Sequence, residues 1–195
     1  RINEIDHLKK IPKKMGVEVD IRSMNGNLIL QHDPFKKGEL FQDWLMFYGH
    51  ALIILNIKEE GFEDKIIDLI NKFKIKNYFF LDQSFPFLIK SAMAGQKKSA
   101  VRVSEFECIN TAKNLANKVN WVWIDYFTSF PLLRNEVEEL KKLGFKLCLV
   151  SPELQGFDPK IKIPKLAEFF HKSNIQLDAI CTKSVGIWQN EMELT

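Results

Sequence analysis

"VEVDIRSMNGNLILQHDP", residues 17–34, places two acids inside a run that should otherwise be apolar. Side chains alternate along a strand, so Val17, Val19 and Ile21 share one face while Glu18 and Asp20 share the other. Asn25-Gly26 is a strong hairpin signal, because both central positions of the tight turn require positive φ. The turn predicts that 27–31 runs back as a ribbon above the mouth of the fold and returns His32, with Asp33, to the same end as the acids. Two carboxylates so close repel: one takes up a proton, or a cation sits between them. Two readings are open. One is a buried salt bridge to a base such as Lys58 or Arg102. The other is a hard cation, Mg2+ or Ca2+, held by oxygen ligands. His32 favours the second, since a histidine beside a metal can donate or accept a proton.

Outward from this stretch, short apolar runs alternate with amphipathic segments. Candidate strands are "VEVDI" (17–21), "ALIILNIK" (51–58), "NYFFLD" (77–82), "AVRVSEF" (100–106), "WVWIDYF" (121–127), "KLCLV" (146–150) and "LDAICT" (177–182). Most are continuous Val/Ile/Leu/Phe runs, as in parallel strands buried on both faces. Helical patterns lie between them, at 63–73 and at 132–144, the latter closing on a Lys pair and a Gly. The alternation of strand and helix indicates a parallel α/β fold. No Gly-rich phosphate turn follows the first strand, which argues against a doubly wound sheet. Seven such strands are visible, and a helical pattern at 3–14 precedes the first. A strand ahead of that helix completes the eight of a (β/α)8 TIM barrel. The expectation is a single domain over 1–195, with its first strand upstream of residue 1 and a β-hairpin excursion at 25–33. A barrel without that strand would have an open seam, so "RINEID", which opens without Met, reads as part of a longer chain.

Composition bounds the function. Residues are 46% hydrophobic and 27% charged, and sixteen Phe with four Trp exclude a disordered chain. The net charge of +3 is small, and its Lys residues are placed on helix faces (Lys9, Lys10, Lys13, Lys14; Lys141, Lys142), so nucleic acid is not an expected partner. No run reaches the length of a membrane span, which argues against stable membrane insertion. Cys108, Cys148 and Cys181 stand apart in apolar settings, without a Cys-x-x-Cys pair. Buried free thiols in a reducing, cytoplasmic compartment are expected. His7, His50 and His171 are read as surface residues. Nothing in the pattern specifies an oligomeric state.

"GVEVDIRSMNGNLILQHDP" resembles the glycerophosphodiester phosphodiesterase family and its relatives, the phosphatidylinositol-specific phospholipases C and spider-venom phospholipase D. Members are (β/α)8 barrels with an early His-Arg, a Glu-x-Asp strand, a Gly-containing turn, and a second His usually followed by Asp. The resemblance implies that Glu18 and Asp20 are metal ligands and His32 the second catalytic histidine. It makes Arg1 the phosphate-contacting Arg and places the first histidine one position upstream; the competing reading of Arg1 is a chance residue. The family's third carboxylate falls at Asn56, whose carbonyl can bind a cation but brings no charge. Lys58 matches the family's Lys, a phosphate-binding cation or a partner for Glu18 or Asp20. "CTK" stands where Thr-Asp is expected, which makes Lys183 a candidate for recognising a different substrate.

The implied activity is Mg2+- or Ca2+-dependent hydrolysis of a small glycerophosphodiester or sugar-phosphate diester, with histidine acid/base catalysis, connected to lipid metabolism. The alternative is a repurposed barrel that binds without turnover. At other strand ends stand Asp82, Glu105, Asp125 and Glu153, each a candidate to touch substrate. Trp123, one strand repeat from Asp125, either stacks on substrate or packs in the core. The segment 35–49, with Phe41, Trp44, Leu45, Phe47 and Tyr48, either caps the site, where it could touch lipid, or packs on the barrel rim.

Overall fold

β-branched residues at alternate positions stiffen 17–21 into an extended strand with one apolar face. The computed structural model describes residues 1–193 and divides into two compact units, Arg1–Ala94 and one beginning at Gly95. In the first unit the strands are β1 (Gly16–Met24), β2 (Asn27–Leu30), β3 (Glu39–Leu40), β4 (Leu52–Ile57) and β5 (Tyr78–Leu81). They form one sheet in the order β3-β2-β1-β4-β5. β1, β4 and β5 are parallel, while β1–β2 and β2–β3 are antiparallel. The helices are α1 (Ile5–Leu8), α2 (Phe41–Leu45), α3 (Glu63–Lys72) and α4 (Phe85–Met93).

The β1–β2 turn is the expected Asn25-Gly26, with φ of 49° and 79°. Its twist matches that of the strands it joins. The two faces of the parallel strands differ sharply. Val17, Val19, Ile21, Ile53, Leu55, Ile57, Tyr78 and Phe80 pack into a core with Ile66 and Ile70 of α3. The opposite face carries Glu18 and Asp20 on β1, with Asn56 in register beside Asp20.

Several expectations need correction. Of the helix expected at 3–14, only the single turn α1 forms; the Lys10 and Ile11 N–H groups reach carbonyls three residues back, and Pro12 has no N–H with which to continue. The two-residue strand β3, which pairs with β2, was not anticipated. The aromatic segment packs only part of its large side chains onto the first unit; Phe35 and Met46 stay exposed. Phe41 and Trp44 are fully buried with Leu8, and the Trp44 indole N–H donates to the Ile2 carbonyl at 3.0 Å. Phe47 remains partly exposed, beneath Lys9. Cys108 is exposed rather than buried, whereas Cys148 is buried and Cys181 intermediate.

His50 is buried, not a surface residue. Its Nε2 lies 3.1 Å from the Ile11 carbonyl, and the Tyr48 ring packs against it. Burial pushes its pKa below the ordinary 6.5. The unfolded chain therefore takes up this proton more readily than the folded one. The stability contributed by neutral His50 is complete above pH 6.5 and is lost as pH falls below it. Thermal melts from pH 7.5 to about 5 are expected to show a declining Tm that is flatter in His50→Gln; parallel curves would contradict this.

The second unit holds β6 (Ala100–Val103), β7 (Trp121–Ile124), β8 (Lys146–Val150) and β9 (Ala179–Cys181), all parallel and in that order. Its helices are α5 (Ile109–Asn114), α6 (Arg134–Lys142), α7 (Pro159–Ser173) and α8 (Val185–Glu193), with a 3-10 turn at Pro152–Gln155. All seven anticipated parallel strands are thus present. Among the described residues no helix is long and apolar enough to cross a membrane.

Candidate functional site

Asp20 is the centre of the first unit's polar face and is fully buried. Asn3 clamps it at two points: the Asn3 amide donates to Asp20 Oδ2, and the Asp20 backbone N–H donates to Asn3 Oδ1, both at 2.9 Å. Arg1 Nε lies 3.6 Å from Oδ2, and Lys58 Nζ lies 3.6 Å from Oδ1. The charge of a buried carboxylate must be met by partners, and here two cations and an amide meet it. On the neighbouring strand Asn56 Nδ2 donates to Glu18 Oε1 at 2.8 Å. Lys58 Nζ also lies 3.4 Å from Asp82 Oδ2. Lys58, expected as a partner for Glu18 or Asp20, meets Asp20, and it also meets Asp82. Arg102 instead pairs with Asp125 and Glu107 in the second unit.

The hairpin brings His32 back as its turn predicted. The Gln31 N–H donates to the Asp20 carbonyl at 3.0 Å, so His32 stands one residue beyond the position opposite Asp20. His32 Nδ1 lies 2.8 Å from Asp33 Oδ1, and Lys36 Nζ lies 2.7 Å from Asp33 Oδ2. Lys36 first, and His32 second, hold the Asp33 carboxyl down at about 2. An ionised carboxylate only accepts, so Nδ1 carries a proton, and in the neutral ring Nε2 is the nitrogen with the lone pair.

Arg22, on the same face of β1 as the acids, donates through Nε to the His32 carbonyl at 3.0 Å and through Nη1 to the Lys58 carbonyl at 3.2 Å. It ties the histidine loop to the end of β4. Asn3 and Arg22 were both missed in the sequence. Arg22 had a usable signal, since it continues the alternation of Glu18 and Asp20. Asn3 had none, because its partner lies seventeen positions along the chain.

The donor set suits a hard cation. Asp20 Oδ1 and Asn56 Oδ1 are buried oxygens without a hydrogen-bond donor, on residues paired across adjacent strands. Glu18, Asp20 and Asn56 offer only oxygen, the ligand type of Mg2+ and Ca2+. Among the described residues no three His, Cys, Asp or Glu side chains gather closely enough to hold a metal. That agrees with an amide, not an acid, at position 56.

The remaining candidates belong to the second unit. Trp123 is buried on the same face as Arg102 and Cys148. Glu153 is opposed by burial but brought below the usual carboxylate range by the Ser151 and Thr182 hydroxyls and the Lys183 N–H, which all donate to it. It joins the ends of β8 and β9, while the Lys183 residue itself is exposed. Glu105 accepts from the N–H groups of Thr128 and Ser129, each at 2.7 Å, which overcome burial and lower it to about 2. Glu105, Asp125 and Glu153 therefore each brace a loop or a neighbouring strand.

No family model matches the sequence, and no curated protein matches it. Solved structures do, two glycerophosphodiester phosphodiesterases among them. A glycerophosphodiester phosphodiesterase from Agrobacterium tumefaciens superposes with a TM-score of 0.67 at 13% identity, over 98% of this chain and 93% of that one. The fold is that of the glycerophosphodiester phosphodiesterases. A glycerophosphoryl diester phosphodiesterase from Parabacteroides distasonis agrees, with a TM-score of 0.64 at 10% identity over 92% of this chain and 75% of that one. The (β/α)8 fold class implied by the glycerophosphodiester phosphodiesterase resemblance is the one found. Within it, Glu18, Asp20, Asn56, Lys58 and Arg1 gather, and the hairpin brings Gln31, the neighbour of His32, back to the Asp20 backbone.

Proposed function

We propose that this chain is a phosphodiester hydrolase of the glycerophosphodiester phosphodiesterase type, acting on a small phosphodiester with help from a divalent cation. The observation that carries the reading is the pairing of Asp20 with Asn56, each with a buried oxygen lacking a donor, while a hairpin returns His32 to the same end of β1. Glu18, Asp20 and Asn56 would hold Mg2+ or Ca2+, which supplies a Lewis acid for a phosphate oxygen.

The chain's own residues do the rest. Arg1 and Lys58 place positive charge where a phosphate gains negative charge in the transition state. His32, its Nδ1 proton fixed by Asp33, exchanges a proton with the attacking or leaving oxygen through Nε2.

The test is hydrolysis of bis(p-nitrophenyl) phosphate and glycerophosphocholine with Mg2+, Ca2+, Mn2+ or EDTA. Turnover that needs the ion and falls in Glu18→Gln supports the reading. Absence of turnover with all three ions, and of heat on titrating them, would favour a barrel kept for binding. Two contacts favour that second reading: Lys58 already neutralises Asp20, and the Asn56 amide is turned toward Glu18.

A further inference from the structure

Lys58 stands between two carboxylates of unlike character. Its Nζ lies 3.6 Å from Asp20 Oδ1, on a side chain with no exposure, and 3.4 Å from Asp82 Oδ2, on a side chain 26% exposed. The Asp20 contact is an ion pair without a hydrogen bond, since Oδ1 has no donor. The Asp82 contact is within hydrogen-bonding distance. Asp82 follows β5 with a φ of 59°, a left-handed turn that ends the strand. The Lys58 ammonium and a divalent cation bound by Asp20 would repel at such short range. A chain that binds both needs somewhere for Lys58 to go, and Asp82 already touches it.

We propose that Lys58 and the divalent cation compete for Asp20, and that Asp82 is the acceptor to which Lys58 is handed when the cation binds. This rests on Glu18, Asp20 and Asn56 being the cation ligands. Asp82 is then a positioning residue that acts through Lys58 and sets how readily the cation enters. Asp82 suits the role because its partial exposure leaves its charge better solvated than that of Asp20, so it accepts the ammonium without new burial.

The experiment is calorimetric titration of Mg2+ and Mn2+ into the protein and three variants, without substrate. Lys58→Met is expected to bind the ion about tenfold tighter, and Asp82→Asn about fivefold weaker, couplings of ordinary size between neighbouring charges. The double variant is expected to match Lys58→Met, because Asp82 has no role once Lys58 is gone. An equal loss from Asp82→Asn in both backgrounds would overturn the handover and make Asp82 a ligand. Unchanged or weaker binding in Lys58→Met, or no effect of Asp82→Asn alone, would overturn it as well. Absence of binding in every variant, Lys58→Met included, is a different failure: it removes the cation ligands themselves, and the handover with them. Lys58→Gln replaces Lys58→Met if circular dichroism shows the latter unfolded.

Discussion

Replacing His32 by Ala is expected to lower the rate of phosphodiester cleavage by about a hundred- to ten-thousandfold while leaving the fold intact. The geometry explains the size of the effect. Asp33, held ionised by Lys36 and His32, fixes the Nδ1 proton and so leaves Nε2 as the transferring atom. No other histidine of the first unit can substitute: His7 is exposed beside Glu4, and His50 is buried against Ile11. The ring is only partly buried and its loss opens no core cavity, so Tm is expected to stay within about a degree. Steady-state rates with bis(p-nitrophenyl) phosphate check this beside a thermal melt. Retained activity would remove His32 from the chemistry.

The second large effect is on stability. Asp20→Ala leaves Lys58 with Asp82 alone, takes the carboxylate from the Asn3 amide and Arg1, and keeps only the backbone half of the Asn3 clamp. Removing one member of a buried ion cluster costs about 3–5 kcal/mol. Arg1 is half exposed and Lys58 keeps one partner, which places the loss at the lower end, about 3 kcal/mol. For a chain of this length that lowers Tm by about 10 °C. Asp20→Asn keeps an oxygen for the Asn3 amide, so it should recover part of the loss while still weakening cation binding. Denaturant unfolding of both variants separates the two contributions; equal stability in Asp20→Ala and the parent chain would contradict the buried cluster.

The strands could be read from the sequence because alternation and apolar runs are local signals. β1 is legible residue by residue: Val17, Val19 and Ile21 face the core, and Glu18 and Asp20 face away from it. The hairpin was legible from two residues, since few pairs other than Asn25-Gly26 accept two positive φ angles. The details of the site were less so. Whether Lys58 serves Asp20, Asp82 or both depends on where three strand ends meet. The Asn3 clamp depends on how the segment ahead of α1 lies along β1, which no periodicity encodes. His50 was misread for a related reason: a polar residue in a short apolar-flanked loop looks exposed until the chain folds over it. Cys108 erred in the other direction, its neighbours Phe106 and Ile109 suggesting burial although Phe106 itself is 79% exposed.

The β1–β2 ribbon acts as a measuring stick. Its pairing runs from Met24–Asn27 through Ile21–Leu30 and on to the Asp20–Gln31 hydrogen bond, so the height of His32 is counted in rungs from the acids. A single inserted residue would shift that count by one and set a different residue opposite Asp20. A matched pair, one added before Asn25 and one after Gly26, adds a rung at the far tip and leaves every rung nearer Asp20 as it was. The outer end of the hairpin is therefore free to lengthen or to carry a graft, while the inner end keeps the histidine at its station.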